Sequence, residues 1–146
     1  MAKEIERTYL VVNDSYKALA SESIHILQGY LNRDPYRTVR VRVTPSKAFL
    51  TVKGKTDGCQ REEYEYEIPR SDGEHLLRLC EGRVLDKTRY LVPYAGNVWE
   101  VDVYHGDLEG LQVTEIELDS VDQKFELPPF AGKDVTGDPK YYNSRL

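Results

Sequence analysis

Glu4-Ile5-Glu6-Arg7-Thr8-Tyr9-Leu10-Val11 reads as a strand with two carboxylates on one face. Side chains alternate across a strand, so Glu4, Glu6 and Thr8 point one way while Ile5, Arg7 and Tyr9 point the other. Two neighbouring acids on one face repel unless water or a cation lies between them, and a divalent ion with oxygen ligands is the usual candidate. The same spacing of two recurs in both signs at Arg40/Arg42, Lys53/Lys55, Glu63/Glu65/Glu67, Lys87/Arg89, Glu100/Asp102 and Glu115/Glu117.

Outward from that stretch, strand patterns dominate. Runs at 24–30, 38–43, 49–55, 63–68, 86–92, 98–104 and 111–118 alternate or carry β-branched and aromatic residues, which with the first makes eight. A short helical piece is predicted at Tyr16–Ala20. A second helix is predicted from the capping box Ser71/Glu74, with Leu76, Leu77, Leu79 and Cys80 as its apolar face and Gly82 at its C-terminus. A further short helix is expected before Pro128-Pro129, and Pro93 to Asn97 is read as a loop. Eight strands joined mainly by short turns predict a mainly β (α+β) architecture: an eight-stranded antiparallel barrel or sandwich with a few covering helices.

Alternation alone leaves the inner face open, because Val39, Val41 and Val43 could form the core while Arg40 and Arg42 meet solvent. The distribution of sign favours a charged lumen. A solvated face intersperses charges, whereas here acids and bases occupy separate strands. A closed barrel would bring them face to face, with room for a polyanion and a metal between. Such a lumen excludes a carrier of apolar cargo.

Composition sets the remaining bounds. With 146 residues the chain suits one domain, 1–146. A net charge of −5 argues against nucleic acid or an anionic membrane as partner. No apolar run approaches the roughly 18 residues of a spanning helix. Cys59 and Cys80 lack CxxC spacing and no secretory h-region stands at the N-terminus, which points to a reduced, cytoplasmic compartment. His25, His75 and His105 are widely separated and read as structural or surface residues. Trp99 and tyrosines 64, 66 and 90 fall on the face opposite the charges and are expected to pack outside the barrel.

The first strand resembles the ExExK signature of the CYTH superfamily, the triphosphate tunnel metalloenzymes. Thr38 to Arg42, Leu50 to Gly54, Glu63 to Ile68, Lys87 to Tyr90, Trp99 to Asp102 and Glu115 to Leu118 are similar to its other tunnel strands in order, and Val135 to Asn143 to its C-terminal segment. The resemblance implies an eight-stranded antiparallel tunnel that hydrolyses a small-molecule triphosphate, most simply inorganic tripolyphosphate, with Mg²⁺ or Mn²⁺. It implies Glu4, Glu6 and Glu117 as metal ligands, with Asp102 and Glu115 serving a second metal near the attacking water. Arg40, Arg42, Lys53, Lys55, Lys87 and Arg89 are expected to bind phosphate, with Glu63, Glu65 and Glu67 pairing with these bases when substrate is absent. A homodimer is compatible with this reading. Thr8 stands where the motif has lysine, which keeps a non-catalytic or weakened triphosphate binder open, and adenylate cyclase activity is the further alternative.

Overall fold

The alternating runs form strands, and the strands close on themselves. The computed structural model describes residues 3–146. The strands are β1 (Lys3–Val11), β2 (Glu22–Asn32), β3 (Arg37–Val43), β4 (Ala48–Gly54), β5 (Gln60–Ile68), β6 (Glu81–Tyr94), β7 (Asn97–Tyr104), β8 (Gln112–Glu117) and β9 (Ala131–Asp134). Two short helices, α1 (Tyr16–Leu19) and α2 (Arg70–Leu77), interrupt them. The first eight strands make an antiparallel ring in the order β1-β5-β4-β3-β2-β6-β7-β8, returning to β1. Closure leaves no free edge along most of the sheet, which protects it from strand addition.

The ring parts at one place. Along one edge β1 pairs with β8 from Glu6 to Leu10, but on the other it meets β5 only at Lys3, Glu4 and Ile5. Beyond that, β9 takes over at Tyr9 and Val11. In the gap, the Glu6 amide donates to the Cys59 carbonyl at 2.9 Å and the Thr8 amide to Thr136 Oγ1 at 2.9 Å.

Most apolar burial lies on the outside of the barrel. Tyr9, Trp99, Val101, Ile116 and Phe130 form the largest cluster, with Tyr16 of α1 and Phe125 of the segment after β8 packed over it. Val41, Val43 and Ala48 pack beneath Leu76, Leu77 and Cys80 of the α2 region. The valines of β3 therefore face the covering layer and its arginines face inward. A third cluster is internal: Leu85, Tyr104 and Val113 share the inward face with Lys87 and Asp102 and pack against Tyr141 and Leu146 of the C-terminal segment.

Several local expectations are corrected. No side-chain cap forms at α2, whose N-cap is Pro69; Arg70 instead pairs with Glu74 one turn on. The helix ends at Leu77, and Gly82 lies within β6 at φ +69°. The segment before Pro128-Pro129 is irregular, and the short strand β9 follows it. The 93–97 loop shrinks to a two-residue turn because Ala95 and Gly96 both adopt positive φ, 49° and 83°, as a tight hairpin turn needs, and this extends β6 through Tyr94. Trp99 is wholly buried outside the barrel as expected, but Tyr64 and Tyr66 are exposed because no element covers β5 there. Among the described residues no helix is long and apolar enough to cross a membrane.

The closest approach of helix to barrel is made at Gly73. A Cβ on it would stand 2.5 Å from the Ala48 Cβ and 3.1 Å from Val43 Cγ2, so α2 rides directly on β3 and β4. Alanine is a better helix former by about 1 kcal/mol, but lifting the helix off a packed sheet costs about 1–3 kcal/mol. We expect the packing effect to win, so that Gly73→Ala lowers unfolding stability in a urea titration; an unchanged or raised midpoint would show that α2 is loosely seated.

Candidate active site

Inside the ring, charged rows from seven strands surround a cavity of about 220 Å³ whose wall is polar throughout. Strand register brings the acids and bases together. Lys53 on β4 sits opposite Glu63 on β5, and its Nζ lies 3.0 Å from both carboxylate oxygens of Glu4 and 3.2 Å from Glu63 Oε2. Arg40 Nη2 lies 3.2 Å from Glu65 Oε2 and also donates to Thr51 Oγ1. Arg89 pairs with Asp102 through Nε at 2.8 Å and Nη2 at 3.0 Å, and with Glu100 through Nη1 at 3.1 Å.

These pairs leave a residue of each sign uncompensated. Among the described residues, the Arg42 side chain donates only to the Gln28 side-chain oxygen, at 3.1 Å. Burial, then repulsion from Arg40 and Arg89, lowers its pKa to about 10. Arg40 Nε is buried without a partner. Across the cavity, Glu4, Glu6 and Glu117 can each present an oxygen within 4.8 Å of the others. Burial and then the charges of Glu115 and Glu4 push the Glu6 carboxyl well above its usual range. Burial and then Glu100 raise Glu117. Burial would raise Glu4 too, but Lys53 and Arg61 outweigh it and bring it to about 2. A cation at the Glu6–Glu117 side and an anion at Arg42 would relieve both imbalances.

Not all of the residues expected at the site line this cavity. Asp102 is 1% exposed and held on both oxygens by Lys87 and Arg89, which leaves it anchoring bases rather than free for a second metal. Lys87 is wholly buried behind Asp102, with Asn143 Oδ1 at 3.5 Å. Lys55 stands exposed outside the cavity, its Nζ 5.0 Å from the Tyr36 ring centre, because β4 ends at Gly54. Glu67 is also exposed and outside the cavity, its Oε1 3.9 Å from Lys47 Nζ. Thr8, opposite Glu115, lines a smaller cavity at the parted edge of β1 instead. Arg40, Arg42, Lys53, Arg89, Glu63, Glu65, Glu115 and the three clustered acids all face the tunnel.

Arg61, Tyr30 and Asn143, to which the sequence pattern assigns no site role, also line the cavity, as does Glu100, the row partner of Asp102. Arg61 obeys the same rule as the rest, since it precedes Glu63 by two on the inward face. The strand begins at Gln60 rather than at Glu63, which brings Arg61 into the row. Asn143 has no period to betray it; the C-terminal segment folds back so that its Oδ1 meets Tyr104 Oη and Lys87.

Asp102 neutralises two buried bases at once, and removing one side of such a group strands the other in low dielectric. Asp102→Ala is therefore expected to cost about 3–5 kcal/mol, measured by chemical denaturation; a change below about 1 kcal/mol would mean that Glu100 takes over both bases.

Comparison with known proteins agrees with the tunnel geometry. The sequence profile of the CYTH domain matches residues 2–142. The inorganic triphosphatase of Acetivibrio thermocellus is 46% identical over 147 residues, covering 100% of this chain and 94% of the relative. The inorganic triphosphatase of Nitrosomonas europaea is 36% identical over 148 residues, covering 98% and 95%. The crystal structure of the inorganic triphosphatase NE1496 superposes with a TM-score of 0.68 at 34% identity, covering 99% of this chain and 94% of the other. A closed antiparallel ring with a charged interior, matched along almost its whole length, makes this chain a member of the CYTH domain family.

Proposed function

We propose that the chain, as one tunnel domain, is a metal-dependent triphosphatase that hydrolyses inorganic tripolyphosphate to pyrophosphate and orthophosphate. The observation that carries this reading is the opposition, across one polar cavity, of Arg42, which has no carboxylate partner among the described residues, and Glu6 and Glu117, which have no basic partner among them. The relatives named as inorganic triphosphatases support it. The volume of about 220 Å³ is below the roughly 300–1,000 Å³ of pockets for larger organic ligands, which favours a compact polyanion over a nucleotide.

Glu4, Glu6 and Glu117 would hold the divalent ion, and their all-oxygen donor set suits Mg²⁺ or Mn²⁺. When bound, that ion supplies charge neutralisation and alignment of phosphate oxygens, the main requirements of phosphoryl transfer. Arg40, Arg42 and Arg89 would hold the phosphate chain by charge-assisted, bidentate hydrogen bonds. Lys53, bound to Glu4 and Glu63 in the free protein, is placed to turn to substrate once Glu4 is engaged. Glu115, beside Glu6 and opposite Glu100 in the β7–β8 register, would orient the water whose oxygen bonds to the terminal phosphorus as the bridging P–O bond breaks. A second reading, a triphosphate binder with little turnover, rests on Thr8, and cyclic AMP formation from ATP would mark the third.

Phosphate release from tripolyphosphate with Mg²⁺ or Mn²⁺, and its loss on adding EDTA, tests the proposal; binding without release would select the second reading. Glu6→Gln keeps shape but removes charge, so it should raise the metal concentration giving half-maximal activity by at least about tenfold, an effect of about 1.4 kcal/mol. An unchanged metal requirement would remove Glu6 from the ligands.

Burial lowers the Lys87 pKa to about 8 against the raising effect of Asp102. Above that pH the neutral amine leaves Asp102 less compensated beside the phosphate-binding Arg89. We expect kcat/KM to fall as pH rises through about 8, and Lys87→Arg, which stays charged, to move the fall upward. A profile identical in the two proteins would detach Lys87 from substrate binding.

A further inference from the structure

Thr8 shares its face of β1 with Glu4 and Glu6 but carries no charge, at the edge where β1 leaves β5. A small cavity opens there, of about 60 Å³, walled by Glu4, Glu6, Glu115 and Thr8 and by turns of the 56–60 and 135–143 segments. Its lining includes one base, Arg61. The last rungs of the β1–β5 pairing set Arg61 directly opposite Glu4, and its Nε lies 3.2 Å from Glu4 Oε1. That is the one hydrogen bond its side chain makes among the described residues, so both Nη groups are uncommitted. Arg61 also lines the main tunnel cavity, so a single guanidinium borders both spaces. Other bases near this end are committed: Lys53 to Glu4 and Glu63, Lys87 to Asp102. Burial by itself would lower the Arg61 pKa, yet the charges of Glu4 and Glu6 outweigh it and raise it, as expected of a base held against the acids.

We propose that Arg61 is a phosphate-binding residue, which presents its free Nη pair to the phosphate oxygens at the acidic end of the tunnel and supplies there the positive charge that Thr8 does not. This rests on the tripolyphosphatase reading of the tunnel. A planar guanidinium hinged on Glu4 suits the task, because one edge can stay on the carboxylate while the other grips two oxygens of a phosphate. It also keeps the anion close to the carboxylates without forcing the two into direct repulsion, since the positive plane lies between them.

The test compares the parent protein, Arg61→Gln, Arg61→Lys and the double variant Thr8→Lys/Arg61→Gln. Steady-state hydrolysis of tripolyphosphate is measured at saturating metal, and tripolyphosphate binding by calorimetry in EDTA. Arg61→Gln should lower kcat/KM by about 10²-fold, the scale of losing one preorganised donor, and weaken metal-free binding at least about tenfold. Arg61→Lys should retain part of both. The double variant should regain at least about tenfold in kcat/KM over Arg61→Gln, because lysine at position 8 restores charge to the same cavity from the facing strand. Parent-like binding and kcat/KM in Arg61→Gln would overturn the proposal. So would a double variant no better than the single one, since that would make Arg61 a support for Glu4 alone. If Arg61→Gln melts early and cannot be assayed, the decision falls to Arg61→Lys, where unchanged binding and kcat/KM would overturn it. Absence of phosphate release from the parent would count against the function proposed above, and the calorimetric comparison would still decide the role of Arg61.

Discussion

Compensation of charge inside a closed barrel is the constraint on which this structure depends. Lys87 and Asp102 are almost without solvent, and Arg40, Lys53, Arg89 and Glu4 are nearly so. Ions so placed persist only when paired and hydrogen-bonded. The pairs between β4 and β5, between β6 and β7, and between β1 and β4 supply this at distances of 2.8–3.2 Å. Each pair joins strands that the ring must bring together, so the charges that serve the site also tie the wall.

A polar interior forces most of the apolar core elsewhere. Trp99, Phe130, Tyr16 and Val101 bury their surface on the outer face, which is why the chain needs α1, α2 and the segment after β8 as cover, while the folded-back C-terminus packs against the inward-facing Leu85, Tyr104 and Val113. Burial of such side chains contributes about 1.5–3 kcal/mol each, and it holds a wall whose inner face contributes little net stability of its own. The covering layer therefore makes a charged tunnel affordable to the fold while leaving its interior open to an anion.

Within the tunnel the compensation is incomplete, and the shortfall is where function enters. Asp102 satisfies its bases fully and is locked, whereas Arg42 and the Glu6–Glu117 group are left with excess charge of opposite sign. Preorganised groups of this kind cost no rearrangement when an anion and a cation arrive, which is the electrostatic basis of binding and transition-state stabilisation.

Period-two patterning in the sequence determined that the chain is built of alternating strands, how many form the ring, and which charged residues share a face, because side-chain direction in a strand is a local property. The grouping of Glu4, Glu6 and Glu117 as one set came from the resemblance that spans the chain, not from the pattern, which gave only the separate pairs Glu4/Glu6 and Glu115/Glu117. Which face turned inward was suggested by segregation of sign but decided only when the strands closed. Closure also separated the roles of residues that look alike in sequence. Asp102 and Glu115 are both strand acids, yet two bases reach Asp102 and, among the described residues, none pairs with Glu115. Lys53 and Lys55 are two apart, yet β4 ends between them and Lys55 falls outside the cavity. Asn143 entered the site through a folded-back tail, a contact with Lys87 between positions 56 residues apart along the chain. A pairing at such separation depends on the whole ring, so no local pattern encodes it.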